Sequence, residues 1–131
     1  MFRVIIAGSR GFQNYIICGR YVTHMLANKL RQGEEIVVLS GHCSGADALG
    51  EHYARLHQLR LEIYEADFDR YGASAGPRRN LRMARNADAL IAFWDGQSRG
   101  TRSMIDAARR CDLYVRVLRY KEAGKRYLDD M

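Results

Sequence analysis

Apolar residues in this chain gather in five short runs, and between the runs they recur every three or four positions. The runs fall at residues 2–7, 36–39, 60–64, 89–94 and 113–118. They are rich in Val, Ile, Leu or aromatic residues, and most lack strict alternation. That pattern belongs to strands covered on both faces, as in a parallel sheet. Between the first two runs, Cys18, Val22, Met25, Leu26 and Leu30 make one stripe, predicting a helix over 14–32 that Gly33 stops. Ala46, Leu49, Tyr53 and Leu56 share a face of a second helix over 45–58. A third opens at Pro77, a residue suited to the first helical position, and runs to residue 86. A fourth, over 101–110, buries Met104, Ile105, Ala108 and Cys111 at its end.

The order is therefore β-α-β-α-β-α-β-α-β. Right-handed crossovers turn it into an α/β, doubly wound parallel sheet of about five strands with helices on both faces. The expected strand order is 3-2-1-4-5, with the switch point between the first and fourth strands. The last stretch, RYKEAGKRYLDDM at 119–131, is charged and reads as a surface tail or short helix. With 131 residues and no linker or repeat, the chain is expected to form one domain over 1–131.

Composition adds a class. Apolar residues at 47% and charged residues at 27% are globular values. No apolar run approaches the ~20 residues of a membrane span, so a cytoplasmic protein with no membrane partner is the expectation. Cys18, Cys43 and Cys111 are odd in number and widely spaced, which fits a reducing compartment rather than a disulfide framework. No C-x-x-C or H-x-x-x-H spacing occurs, so neither a metal site nor a cofactor is expected. The net charge of +6 favours anionic partners such as nucleotides or nucleic acid.

In such a sheet, ligands bind beyond the carboxyl ends of strands near the switch point. Three loops there are rich in small and polar residues. Strand 1 is followed by Gly8-Ser9-Arg10-Gly11, strand 2 by Ser40-Gly41-His42-Cys43-Ser44-Gly45-Ala46-Asp47, and strand 4 by Asp95-Gly96-Gln97-Ser98-Arg99-Gly100-Thr101. Glycine lets backbone approach a ligand, hydroxyls donate, and the helix behind each loop offers unpaired N–H groups with a positive dipole end. These are the parts of a phosphate site. Arg78 and Arg79 stand in the predicted first turn after Pro77, where a cation opposes the helix dipole unless an anion is bound. Arginine's planar fork suits phosphate. Asp47, at a helix start, either stabilises the N-terminus or serves a ribose hydroxyl or a proton transfer. Phe93, Trp94 and Tyr71 are candidates to stack on a base or to pack. Neither G-x-G-x-x-G nor G-K-[ST] is present.

The segments AGSRGF, LSGHCSGADALGEHYA, ADFDRYGASAGPRRNLRM and ADALIAFWDGQSRGTRSMIDAA, taken in order, resemble the SLOG superfamily, and more closely its small stand-alone YspA-like members. The resemblance covers about residues 2–112. It implies a Rossmann-like fold that binds a nucleotide or nucleotide-derived ligand, as a sensor or subunit in nucleotide signalling or stress response. On that reading Gly8, Ser9, Arg10, Ser40, Gly41, Ser44, Gly45, Asp95, Gly96, Gly100 and Thr101 belong to the phosphate and ribose cradle. Arg79, with Asn80 beside it, neutralises phosphate, and Asp47 contacts ribose.

Two relatives of the superfamily frame alternatives. The lonely-guy phosphoribohydrolases cleave the N-glycosidic bond of nucleoside monophosphates, which would make Arg79 and Asp47 the catalytic candidates. Arg79 four residues before Met83, and the Gly100-Thr101 pair, match their pattern. Met104 stands where they carry a catalytic Glu, and a thioether cannot exchange a proton. Asp106, two residues on, lies about 200° further around a helix. The DNA-processing proteins share the P-R-R-N segment and bind single-stranded nucleic acid. The eight tyrosines also leave room for a homodimer.

Overall fold

The computed structural model describes residues 1–121 throughout and, beyond them, the backbone of one strand at 126–130. Its strands are β1 (Phe2–Gly8), β2 (Ile36–Ser40), β3 (Arg60–Ile63), β4 (Ala89–Trp94), β5 (Tyr114–Lys121) and β6 (Arg126–Asp130). They form one sheet in the order β3-β2-β1-β4-β5-β6. The first five are parallel, in the order 3-2-1-4-5, and β6 pairs antiparallel with β5. The fold is a Rossmann-like α/β sheet. The surface tail or helix expected over 119–131 is replaced by the end of β5 and by β6; residues 122–125 and 131 lie outside the described residues.

Helices α1 (Tyr15–Arg31) and α2 (Ala46–Leu56) cover one face of the sheet, and α4 (Ala75–Arg85) and α5 (Arg99–Arg110) the other; a four-residue α3 (Phe68–Tyr71) lies between α2 and α4. Continuous apolar strands follow from this double cover. Val4 and Ile6 of β1 pack with Cys18, Val22 and Leu26 of α1, while Ile5 and Ala7 face Met83, Met104 and Ala108. Asn14 caps α1, its side chain accepting from the Ile17 N–H at 3.0 Å. Leu30 and Leu56, placed on the buried stripes by their spacing, are exposed because they fall at the helix ends. No helix among the described residues is long and apolar enough to cross a membrane.

Helix α4 begins at Ala75, two residues before Pro77. Proline is tolerated there because the first-turn N–H groups have no intrahelical partner to lose. The earlier start moves Arg78 and Arg79 to the fourth and fifth helical positions, past the turn where the dipole acts most strongly. What fixes Arg79 is instead its set of hydrogen bonds.

Candidate functional site

The loops after β1, β2 and β4 meet at the carboxyl ends of their strands, and Ser9 joins them. Its N–H donates to the Phe93 carbonyl at 2.9 Å, and its own carbonyl accepts from Phe12 at 3.1 Å and from Ala46 at 3.3 Å. Its hydroxyl accepts from the Asp95 N–H at 3.1 Å. Ser9 is therefore buried between the loops. Gly45 opens α2 at φ 77°, and a Cβ there would collide with the carbonyl oxygens of Ser9 and Arg10.

Against this junction lies a cleft of two lobes. The first, about 350 Å³, is walled by Gly8 and Arg10 after β1, Asp47 of α2, Arg79 and Asn80 of α4, and the first turn of α5. The second, about 510 Å³, is walled by Gly41, His42 and Ser44 after β2 and by Glu65 after β3. Arg10, Cys43, Phe68 and Arg79 border both lobes.

Arg79 is held firmly. Its guanidinium donates to the Gly41 carbonyl at 2.6 Å and to that of Tyr64 at 3.5 Å, and its Nε donates to Asn80 Oδ1 at 2.9 Å. Asn80, itself buried, donates to the Gly100 carbonyl at 3.4 Å and to Ser103 Oγ at 3.2 Å, linking α4 to the start of α5. Gly41 makes room for this: a Cβ on it would stand 2.9 Å from an Arg79 nitrogen and 3.0 Å from Asp47 Oδ2.

Asp47 is buried beside them. Burial pushes its carboxyl from an ordinary 3.8 up to about 6, against the opposing pull of the Cys43 N–H, the Arg79 charge and the Gly8 N–H. The group therefore changes charge close to neutral pH inside the first lobe. At the opposite wall, Ser98 caps α5, accepting from the Thr101 N–H at 3.4 Å and the Thr101 hydroxyl at 3.1 Å. Ser98, Arg99, Gly100 and Thr101 all border the first lobe, so the positive end of α5 faces it. Met104, at the position where the phosphoribohydrolase pattern has Glu, is buried against the same lobe.

In the second lobe, His42 holds a left-handed backbone at φ 61°. Its Nδ1 lies 2.8 Å from Glu51 Oε2, an oxygen that also accepts from the Ser40 hydroxyl at 2.7 Å. The hydrogen bond to buried Glu51 raises the imidazole above its usual value.

Of the residues singled out in the sequence, Gly8, Arg10, Gly41, Ser44, Asp47, Arg79, Asn80, Gly100 and Thr101 border the cleft. Ser9, Ser40, Gly45, Asp95 and Gly96 line neither lobe and instead build the loops. The Asp95 carboxylate accepts from the N–H groups of Gln97 and Ser98, each at 2.8 Å. Burial alone would raise Asp95, but these donors and Ser9 outweigh it and hold the group low. Gly96 abuts Arg119.

The aromatic candidates also divide. Phe93 is core, stacked on Phe12 with ring centroids 4.6 Å apart. The Trp94 indole donates to the Ser98 carbonyl at 3.1 Å, and Tyr71 lies under Arg78; neither borders the two lobes. The ring at the cleft is Phe68, 59% exposed and bordering both lobes. The sequence reading passed over it. Its signal is an aromatic in ADFD that fits no strand and no helical stripe, directly after the capping residue Asp67.

Two comparisons bear on this arrangement. Over residues 2–71 the chain matches the family described as YspA, cpYpsA-related SLOG. It is also 33% identical over 122 residues to the Gene 61 protein of Mycobacterium phage D29, covering 88% of this chain and 94% of that one. The family match includes the loops after β1 and β2 that build half of the cleft, and the phage protein extends the likeness through most of the chain. By the family match, which spans more than half of its residues, the chain belongs to the YspA, cpYpsA-related SLOG family.

Proposed function

We propose that the cleft binds a nucleotide or nucleotide-derived ligand, and that the protein acts as a sensor or subunit in nucleotide signalling or stress response. The observation that carries this reading is Arg79, its fork anchored at the border of two lobes with the N-terminus of α5 across from it. A phosphate between them meets a cation and open backbone N–H groups together. Arg10 adds a second cation at the same border. Asp47 lies deep enough in the first lobe to take a ribose hydroxyl, and Phe68 offers a face to the base. A first lobe of about 350 Å³ falls within the roughly 300–1,000 Å³ usual for small-molecule sites.

The test is a thermal-shift screen with mono-, di- and cyclic nucleotides. A ligand at 100 times its dissociation constant adds about 2.7 kcal/mol, a visible rise in melting temperature. No rise with any nucleotide at millimolar concentration refutes the reading.

A second reading, hydrolysis of the N-glycosidic bond of a nucleoside monophosphate, is favoured by one observation: Asp47, titrating at about 6, shares the first lobe with Arg79. It requires Asp47 to do what Met104 cannot. It predicts free base released from a nucleoside monophosphate, abolished in Arg79→Ala and in Asp47→Ala. No release from any common nucleotide eliminates it.

A further inference from the structure

The charge of this molecule is segregated. Residues 1–67 carry seven Lys and Arg against seven Asp and Glu, whereas residues 68–121 carry twelve against five. Within that stretch, helices α4 and α5 alone carry eight arginines against one acidic residue, Asp106, and both helices cover the same face of the sheet. Arg78, Arg82 and Arg85 are exposed on α4, and Arg102, Arg109 and Arg110 on α5. The two helices are packed together, joined by the Asn80–Ser103 hydrogen bond. Ion pairs among the described residues do not quench this charge. Among the described residues, every ion pair draws its cation from the N-terminus, Arg3, Lys29, His42, Arg55 or Arg60, and none from α4 or α5.

The same face carries aromatic rings beside its cations. Arg78 lies 4.4 Å from the Tyr71 ring centre, Arg82 5.5 Å from that of Tyr64, and Arg119 5.5 Å from that of Trp94. Trp94, Arg102, Arg109 and Arg119 border a notch of about 220 Å³, together with Asp106. The Arg119 Nε is buried there with no hydrogen-bond partner among the described residues.

We infer that the α4–α5 face docks the phosphate backbone of a nucleic-acid strand, separately from the ligand cleft. Arginines at spacings of four and three along α4 stand roughly 6 and 4.5 Å apart along the axis, which brings successive forks to successive phosphates. The rings of Tyr71, Tyr64 and Trp94 hold their arginines by cation–π contact, so those guanidinium groups are ordered before a strand arrives. The contact is with backbone, so it is indifferent to sequence.

The experiment is fluorescence anisotropy of labelled single-stranded DNA and RNA with the full chain, over roughly 50 to 300 mM KCl. The logarithm of the affinity should fall linearly with the logarithm of the salt concentration. Arg82→Glu combined with Arg102→Glu should weaken binding roughly tenfold or more and lower the salt slope by about 1 to 2. Both positions are exposed, and an unchanged melting temperature verifies the fold. The same double variant should keep its thermal shift with nucleotides, which separates this inference from the cleft reading. Arg20→Glu with Arg31→Glu on α1 should leave nucleic-acid affinity nearly unchanged. A flat salt response overturns the inference. So does equal damage from the α1 reversals or from Arg79→Ala, or an acidic polypeptide that binds as tightly as the oligonucleotide.

Discussion

Asparagine in place of Asp47 isolates the cost of keeping one buried carboxylate charged. In the folded protein this carboxyl titrates at about 6 rather than 3.8, chiefly because burial disfavours the charged form. Between those values the folded chain still holds a proton that the unfolded chain has released. The unfolded state then binds fewer protons, so unfolding free energy falls as pH rises through the window and levels off above it. At about 1.4 kcal/mol per pH unit, a displacement of roughly two units removes about 3 kcal/mol from the wild type. Asp47→Asn has no such proton. It loses some hydrogen bonding from the Cys43 and Gly8 N–H groups, an offset that does not vary with pH. Urea denaturation of both proteins at several pH values from about 4 to 8 gives a difference in which the other titrating groups cancel. That difference should move in the variant's favour by about 3 kcal/mol as pH climbs, most of it between the two titration points. A difference that stays flat, or that moves toward the wild type, refutes the reasoning. It would mean that Arg79 and the N–H donors, not burial, govern this group.

Other outcomes follow from the same geometry. Gly33→Ala, at φ 69° with nothing within 4 Å of the new methyl, should cost about 1 kcal/mol of backbone strain. Gly45→Ala, at a comparable φ but facing two carbonyls, should cost more than about 3 kcal/mol or prevent folding; equal urea midpoints for the two variants would contradict the packing described. Phe68→Ala should leave stability within about 0.5 kcal/mol, because the ring is exposed, yet weaken nucleotide affinity by roughly tenfold if the base stacks there. Calorimetric titration reads the second effect, and unchanged affinity removes Phe68 from the site. The His42 ring should titrate above 6.5 by NMR and drop in Glu51→Gln. The stabilisation from that pair is complete below 6.5 and fades as pH rises through the folded value; a ring titrating at or below 6.5 contradicts it.

The sheet was legible because its central strands β1, β2 and β4 are covered on both sides. Val4, Ile5, Ile6 and Ala7 all need apolar side chains, whichever face they meet, so β1 reads as an unbroken run. Short or weakly patterned pieces were not legible. Helix α3 has only four residues and none of them is buried, and the start of α4 at Ala75-Gly76 carries no stripe to announce it. The cleft was half legible. Small residues mark where loops must turn tightly, but composition does not tell a wall from a joint. Ser9 and Arg10 are neighbours in the chain; one is locked between loops and the other opens onto both lobes. Arg79 was recognisable as a cation for an anion, yet its anchor, the Gly41 carbonyl, lies 38 residues away and leaves no trace in local pattern.

On the proposed reading of the cleft, the Ser9 junction limits where ligand selectivity can reside. Three loops fastened through one residue form a stiff mouth, and a stiff mouth sorts guests by shape without rearranging to admit them. New selectivity therefore has to come from side chains that hang outside the fastening. Arg10, Phe68 and Arg99 all do so, being exposed at the border of the cleft. Substitution at those three positions can retune what enters while the scaffold beneath stays untouched.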